Sequence, residues 1–436
     1  MIMLLALAAC TTPGSFDEGP TWAEVHGIVE RRCSTCHVDG GIGPFPLTTY
    51  EEVFDARALS ERAVAAGAMP PWQPADDCAE YRDAYDLTDD ERDQLLAFFA
   101  AGAPRGGDPV EVEPGEGEAD QGAGFEADVV IPLPEPYTPT REPDDYRCQI
   151  LDFEVDETTY VTGVNVAVDN QAIAHHAIAF LMPSARRDAL EALDDEHEGP
   201  GYPCYGGPNG DELGGTSGWL GSWVPGGTPR PVPGNAGIAV APGEFIVLQM
   251  HYNTLSSAPS ADQSALELQL ASEVERVARI QPFTDLAWVL DPQSMMIPAG
   301  ERVTHTTEQA SDGLLFSQAR ARLGLDPEAD LLVHSVGLHM HELGEAGHLR
   351  LKRDDGTERC LLDIPDWDFD WQGQYTLREA VRMGPSDTVE LSCTWDNSAE
   401  NQLIVDGSVQ EPRDVTWGEG TQDEMCLGGL LLTGAE

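Results

Sequence analysis

The sequence predicts a multidomain chain, a small all-α segment followed by two antiparallel β-sandwich domains. Three observations carry that expectation. Helical spacing and capping signals fill Thr21 to Ala103, all periodicity is lost from Pro104 to Gly124, and short alternating runs bounded by Pro, Gly and Asn take over from Asp128. A length of 436 residues leaves room for two to four domains at roughly 100–200 residues each.

In chain order, residues 1–20 open with an apolar run and read as a signal and tether. Residues 21–103 form the helical segment. Trp22 to Arg32 is amphipathic, Glu51 to Ala66 is rich in Ala, Glu and Arg, and Thr88-Asp-Asp-Glu91 is a capping box opening a helix through Phe98 and Phe99. Residues 104–127 are an acidic Gly/Pro linker, since Pro104 to Gly124 holds six acidic residues against the single Arg105. Beyond it, Tyr160 to Val168, Glu244 to Tyr252 and Leu331 to Met340 read as strands. Some 300 residues of this pattern exceed one small sandwich, so they divide into 128–283 and 284–436, with the boundary near Gln281 to Thr284.

Composition excludes whole classes of partner. Twenty-four Lys+Arg face 77 Asp+Glu, a net charge of −53, and Lys352 is the one lysine. A nucleic-acid backbone or an anionic lipid surface is held largely by Lys and Arg, so no nucleic-acid partner is expected and electrostatic membrane docking is disfavoured. At 41% hydrophobic residues the chain still has enough apolar side chains for packed cores. The acidity reads as a solvated anionic surface. No stretch reaches the ~18 uninterrupted apolar residues of a spanning helix.

The nine cysteines sort by spacing. Cys10 closes the run Met1-Ile-Met-Leu-Leu-Ala-Leu-Ala-Ala-Cys10 and resembles a bacterial lipoprotein signal with Leu7-Ala8-Ala9-Cys10 as its lipobox, although no Lys or Arg precedes the apolar run. That resemblance implies an exported chain tethered to the membrane by lipid at Cys10 alone, on the periplasmic side of the cell envelope, where disulfides persist.

Cys33-Ser-Thr-Cys36-His37 is the most specific short motif. Two thiols two residues apart can add to both vinyl groups of a haem while the adjacent His ligates its iron. A zinc or redox Cys-x-x-Cys would call for a second thiol pair or a βαβ context, and the sequence has neither. Met69, before Pro70-Pro71-Trp72, is the candidate sixth ligand, with an ordinary core methionine as the alternative. Here the segment resembles a small class I cytochrome c, which implies one covalently attached haem c on Cys33, Cys36, His37 and Met69.

Five of the eleven histidines fall in three groups within the β region: Ala174-His175-His176-Ala177, Gln249-Met250-His251-Tyr252-Asn253 and Leu338-His339-Met340-His341-Glu342. Strand residues two apart share a face, so His339 and His341 can hold one metal. His175 and His176 are neighbours and need a bulge or strand end to do the same, with His251 as a third ligand. A lone histidine is more often structural than ligating, but three clusters in consecutive β segments point to metal, and imidazole suits copper or zinc. Gln249 is a candidate to hydrogen-bond a ligand imidazole, or else a simple inward polar residue. His26, His197, His305, His334 and His348 read as structural or surface residues, with His334 also a candidate to support a ligand because it lies on the strand leading to His339, and Trp367, Phe369 and Trp371 read as sandwich packing.

With Asp423-Glu424-Met425-Cys426 the order of motifs resembles the copper type II monooxygenases, such as peptidylglycine α-hydroxylating monooxygenase and dopamine β-hydroxylase, over roughly Tyr146 to Leu432. The resemblance implies two jelly-roll-like sandwiches with one copper in each and a solvent-filled cleft between them. His175, His176 and His251 match the three-histidine electron-transfer copper site. His339, His341 and Met425 match the oxygen site and are the catalytic candidates. A Cys393–Cys426 bridge is implied as well. Cys78 lies in the helical segment and can be unpaired, and the pairing of Cys148, Cys204 and Cys360 stays open. Gly337, Leu427 and Gly429 stand where peptide-amidating members carry basic, polar or aromatic residues, so a peptide carboxylate is not the expected substrate, and Cys426 to Leu432 suggests an apolar cleft rim.

The expected function is therefore hydroxylation of an aliphatic C–H of a small organic substrate with O2, on two coppers. Electrons would come through the fused haem c, ultimately from an external reductant such as ascorbate, an electron-donor protein or a quinone-linked chain. The alternative is a non-enzymatic envelope electron-transfer or copper-binding protein using the same ligands. A hydrolase is disfavoured, because the sequence has no Gly-x-Ser-x-Gly elbow and no His-Glu-x-x-His motif.

Overall fold

The computed structural model describes residues 19–34, 36–38, 43–82, 84, 86–107, 125–208, 218–224, 227, 229–254, 257–369, 371–402, 404–405 and 408–435. Cys10 and most of the acidic stretch lie outside them. The chain divides into two compact units, Met1–Trp72 with Tyr85–Pro114, and Gln73–Ala84 with Gly115–Glu436.

The first unit contains helices α1 (Trp22–Arg32), α2 (Tyr50–Ala65) and α3 (Asp89–Ala100). Thr49 and Thr88 cap α2 and α3, each accepting the N–H three residues on, while Glu52 and Glu91 reach back to the cap backbone. The apolar faces meet around Val25, Val29, Val53, Leu95 and Phe98. At the far side of α1, Arg31 and Arg32 pair with the buried Glu91.

The larger unit contains a 14-stranded sheet. Ala174–Met182, Phe245–Asn253 and Asp144–Ile150 are consecutive neighbours in it. Phe245–Asn253 is buried on both faces except at its last residue, which suits its unbroken apolar run FIVL and a central place. A second sheet of four strands runs in the order Arg302–Ala310, Thr388–Asp396, Gly344–Lys352, Glu358–Ile364.

The predicted class, a small all-α cytochrome c domain followed by two antiparallel jelly-roll-like sandwiches, is corrected by this architecture. Among the described residues strand makes up 37% and helix 19%, and no all-α cytochrome c-like domain stands at their N-terminal end. Helical periodicity covers only three short stretches of the first segment, and Gln73–Ala84, read as part of it, belongs to the β unit. Strand pairing also crosses the expected boundary near Gln281 to Thr284. Leu427–Gly434 pairs antiparallel with Arg276–Phe283 on one side and Leu331–His339 on the other, so one sheet runs through the expected boundary. Arg276–Phe283 additionally pairs in parallel with Ala236–Val240. The run LGGLLLTG can take this central place because Leu430 and Leu432 are fully buried and Gly428 has no side chain. A Cβ there would meet the Phe283 ring at 2.7 Å. Those leucines are core residues, which removes them from the apolar substrate rim expected of Cys426 to Leu432.

Among the described residues three disulfides are present: Cys78–Cys360, Cys148–Cys204 and Cys393–Cys426. Cys78 is thus paired, and its partner lies in the β unit. Among the described residues Cys33 and Cys36 are free, and no helix is long and apolar enough to cross a membrane.

Candidate metal centres

His175 and His176 open the strand Ala174–Met182, and His251 lies near the end of Phe245–Asn253. The pairing of these strands shifts register between Ala174 and His176, so His176 stands opposite His251 and a bulge turns His175 to the same side. The Nδ1 atoms of His175 and of His251 each lie 3.3 Å from Nδ1 of His176. Two nitrogens bound at ~2 Å to one tetrahedral ion lie roughly that far apart, so this spacing fits a metal. His175 Nε2 is buried with no hydrogen-bond partner among the described residues.

Two residues of the strand Asp144–Ile150 orient this group. Asp144 Oδ1 lies 2.9 Å from His251 Nε2, which puts the proton there and leaves Nδ1 with its lone pair. Tyr146 stacks on the His251 ring, with centroids 4.0 Å apart. The same strand reaches the loop before Met425, because Thr421 Oγ1 donates to Asp144 and Tyr146 donates to the Glu419 carbonyl. Gln249, by contrast, donates to the Cys204 carbonyl.

His339 ends the strand Leu331–His339, and His341 follows in the turn. His339 Nδ1 donates to Gln372 Oε1 at 2.5 Å and His341 Nδ1 to the Asp423 carbonyl at 3.1 Å, so both rings keep Nε2 for a ligand. Leu427, two residues after Met425, is paired with His339. The Cys393–Cys426 bond ties the Met425 loop to the second sheet. Buried Glu424 accepts the N–H groups of His341, Leu343 and Met425 and the Trp395 indole N–H. Burial raises its carboxyl above the usual carboxylate range, and these four N–H donors oppose that rise by stabilising the charged form.

Burial lowers all five imidazoles, with His175 and His339 at about 4 and His341 at about 3, so they are neutral and able to ligate at neutral pH. The two groups adjoin. His176 and His339 ring centroids lie 6.2 Å apart, and Phe369 stacks on His175 at 4.6 Å while its ring lies 5.9 Å from His341. The open cleft implied by the resemblance is not what separates these groups.

Asp144, Tyr146, Glu424, Phe369, Gln372 and Trp367, whose Nε1 donates to the His341 carbonyl, were not assigned to the site from sequence. The alternation Trp367-x-Phe369 was the available signal, read there as packing. His334 bonds Thr433 instead of a ligand.

In the first unit, α1 runs directly into Cys33, and His37 Nδ1 bonds the Phe45 carbonyl at 2.8 Å, leaving Nε2 with its lone pair. Burial raises both thiols, Cys33 to about 12. Met69 is 38% exposed.

Residues 289–430 match the family model of the copper type II ascorbate-dependent monooxygenase C-terminal domain. DBH-like monooxygenase protein 1 of Gallus gallus is 25% identical over 295 residues, and that of Mus musculus 23% over 298, each covering 66% of this chain and 44% of the relative. The chain therefore spans less than half the length of the curated relatives it matches. Among solved structures, the major capsid protein P2 of bacteriophage PM2 aligns over 67% of this chain and 97% of its own, at 8% identity and a TM-score of 0.23. The similarity to copper type II monooxygenases thus rests on residues 289–430 and on the stretch aligned with those relatives.

Proposed function

We propose that the chain is a copper monooxygenase that hydroxylates an aliphatic C–H of a small organic substrate. The balance is R–H + O2 + 2 electrons + 2 protons → R–OH + H2O, with the electrons from an ascorbate-type reductant or a redox partner. The observation that carries this reading is the pair of adjoining imidazole groups, one with three converging Nδ1 atoms and one with both Nδ1 atoms engaged. His175, His176 and His251 would hold one copper, and His339, His341 and Met425 the other. Copper bound there would supply one-electron redox chemistry and dioxygen activation, the thioether favouring Cu(I).

The protein's own part is positioning. Asp144 and Gln372 set the tautomers of His251 and His339, Glu424 holds His341 and the Met425 backbone together, and Phe369 packs against both groups. Electron supply through a haem c on Cys33, Cys36 and His37 is part of the same proposal, supported by the unpaired thiols and the His37–Phe45 bond. Three disulfides support export, and a lipid tether at Cys10 completes the picture. Reductant-dependent oxygen uptake by the copper-loaded protein, measured with and without candidate apolar substrates, tests it. Substrate-independent uptake with no hydroxylated product would overturn it.

A further inference from the structure

Gln73–Ala84 is flanked in the chain by the first unit yet belongs to the second. It lies against two strands from different sheets. Glu358–Ile364 is the edge of the four-stranded sheet, and among the described strands Gln374–Met383 pairs with Leu331–His339 in the large one. Edge strands leave backbone groups unpaired, and the strap takes them up on both sides. On the first edge Ala75 N donates to the Asp363 carbonyl, Tyr81 Oη donates to the Leu361 carbonyl, and Cys78 is bonded to Cys360. On the second, Tyr81 bridges Leu377, Arg82 N donates to the Thr376 carbonyl and Arg378 N to the Glu80 carbonyl.

Between those two strands runs the crossing segment that carries Trp367, Phe369 and Gln372. Each touches a candidate ligand: Trp367 the His341 carbonyl, Phe369 the His175 and His341 rings, Gln372 the His339 Nδ1. The strap also grips the crossing itself, because buried Gln73 donates to the Asp368 carbonyl, next to Phe369.

We propose that the strap Gln73–Ala84 is a positioning element of the metal centre, clamping both stems of the segment 365–373 so that Phe369 and Gln372 stay against the ligand histidines. This rests on the copper-ligand reading above. The strap acts through that segment, whose Trp367, Phe369 and Gln372 meet the candidate ligands.

The test uses the full chain in a His251→Ala background, so that bound copper reports the His339, His341 and Met425 group. Three variants loosen the strap: Cys78→Ser with Cys360→Ser, Gln73→Ala, and Tyr81→Phe. Cu(I) affinity by chelator competition and the Cu(II) electron paramagnetic resonance spectrum are read beside the thermal midpoint. The expected result is affinity about 10-fold weaker and an altered copper hyperfine pattern in the disulfide variant, with smaller shifts of the same kind in the other two. Tyr81→Phe and Gln73→Ala keep the disulfide and carry the test if the double variant does not fold. Unchanged affinity and spectrum in every folded variant would overturn the inference. Failure of the unmutated chain to bind two coppers would instead overturn the ligand reading itself.

Discussion

Glu424 Oε2 accepts the backbone N–H of His341 at 2.9 Å, so the carboxylate immediately before Met425 holds the chain that carries His341. With Leu343, Met425 and Trp395 also donating to it, Glu424 is the common anchor of a β-turn and a loop far apart in sequence. Replacing it by Gln offers one acceptor oxygen where four donors converge, and leaves buried N–H groups unpaired. Glu424→Gln should destabilise the larger unit by about 3 kcal/mol in denaturant unfolding and weaken copper at the His339 group.

Met425→Ile keeps the buried volume nearly constant, which costs under ~1.5 kcal/mol in a core, but removes the thioether. Oxygen-dependent hydroxylation should vanish while the fold and any haem spectrum persist. Retained turnover in an oxygen-electrode assay would refute the role given to Met425.

Asp144→Asn leaves a weaker acceptor opposite His251 Nε2 and Thr421 Oγ1. Copper at the three-histidine group should bind ~10–100-fold more weakly. Isothermal titration with Cu(II), comparing His339→Ala and His339→Ala/Asp144→Asn, isolates that group; equal affinities would sink the assignment.

Cys33→Ala with Cys36→Ala should abolish covalent haem in the purified protein, as measured by the pyridine haemochrome after acid extraction, without lowering copper content. Absence of haem from the unmutated protein matured in a haem-attaching host would refute attachment there.

Burial tends to raise the Glu91 carboxyl, yet the Thr88 backbone N–H, Arg32 and Arg31 bring it below its usual value. A carboxyl depressed on folding adds stability that is present above the unfolded pKa and is lost as pH falls through the folded one. The melting difference between the unmutated chain and Glu91→Gln should therefore shrink as pH drops from about 6 to about 3. A constant difference would show that the ion pairs with Arg31 and Arg32 do not drive it.

Much of this was readable from local pattern. The helices α1, α2 and α3 follow from their caps and apolar spacing, which act within a few residues. The ligand candidates stood out because imidazole, thiol and thioether are chemically specific wherever they sit. The partners Asp144, Gln372 and Glu424 were not legible, since a carboxylate or amide becomes an orienting group only when a distant strand delivers it within hydrogen-bond reach. The leucines after Cys426 misled for a related reason: an apolar run looks the same on a cleft rim and in the middle of a sheet.

The residue types and their spacing marked the candidate chemistry of this protein: clustered imidazoles with Met425 downstream, a Cys-x-x-Cys-His motif, and an acidity that disfavours a nucleic-acid partner. Pairings that span hundreds of residues were decided by tertiary structure alone. Leu427–Gly434 joins the two β halves into one sheet, and Cys78 reaches Cys360. Long-range pairing depends on which buried surfaces and backbone edges find each other, and that competition leaves no local trace in the order of residues.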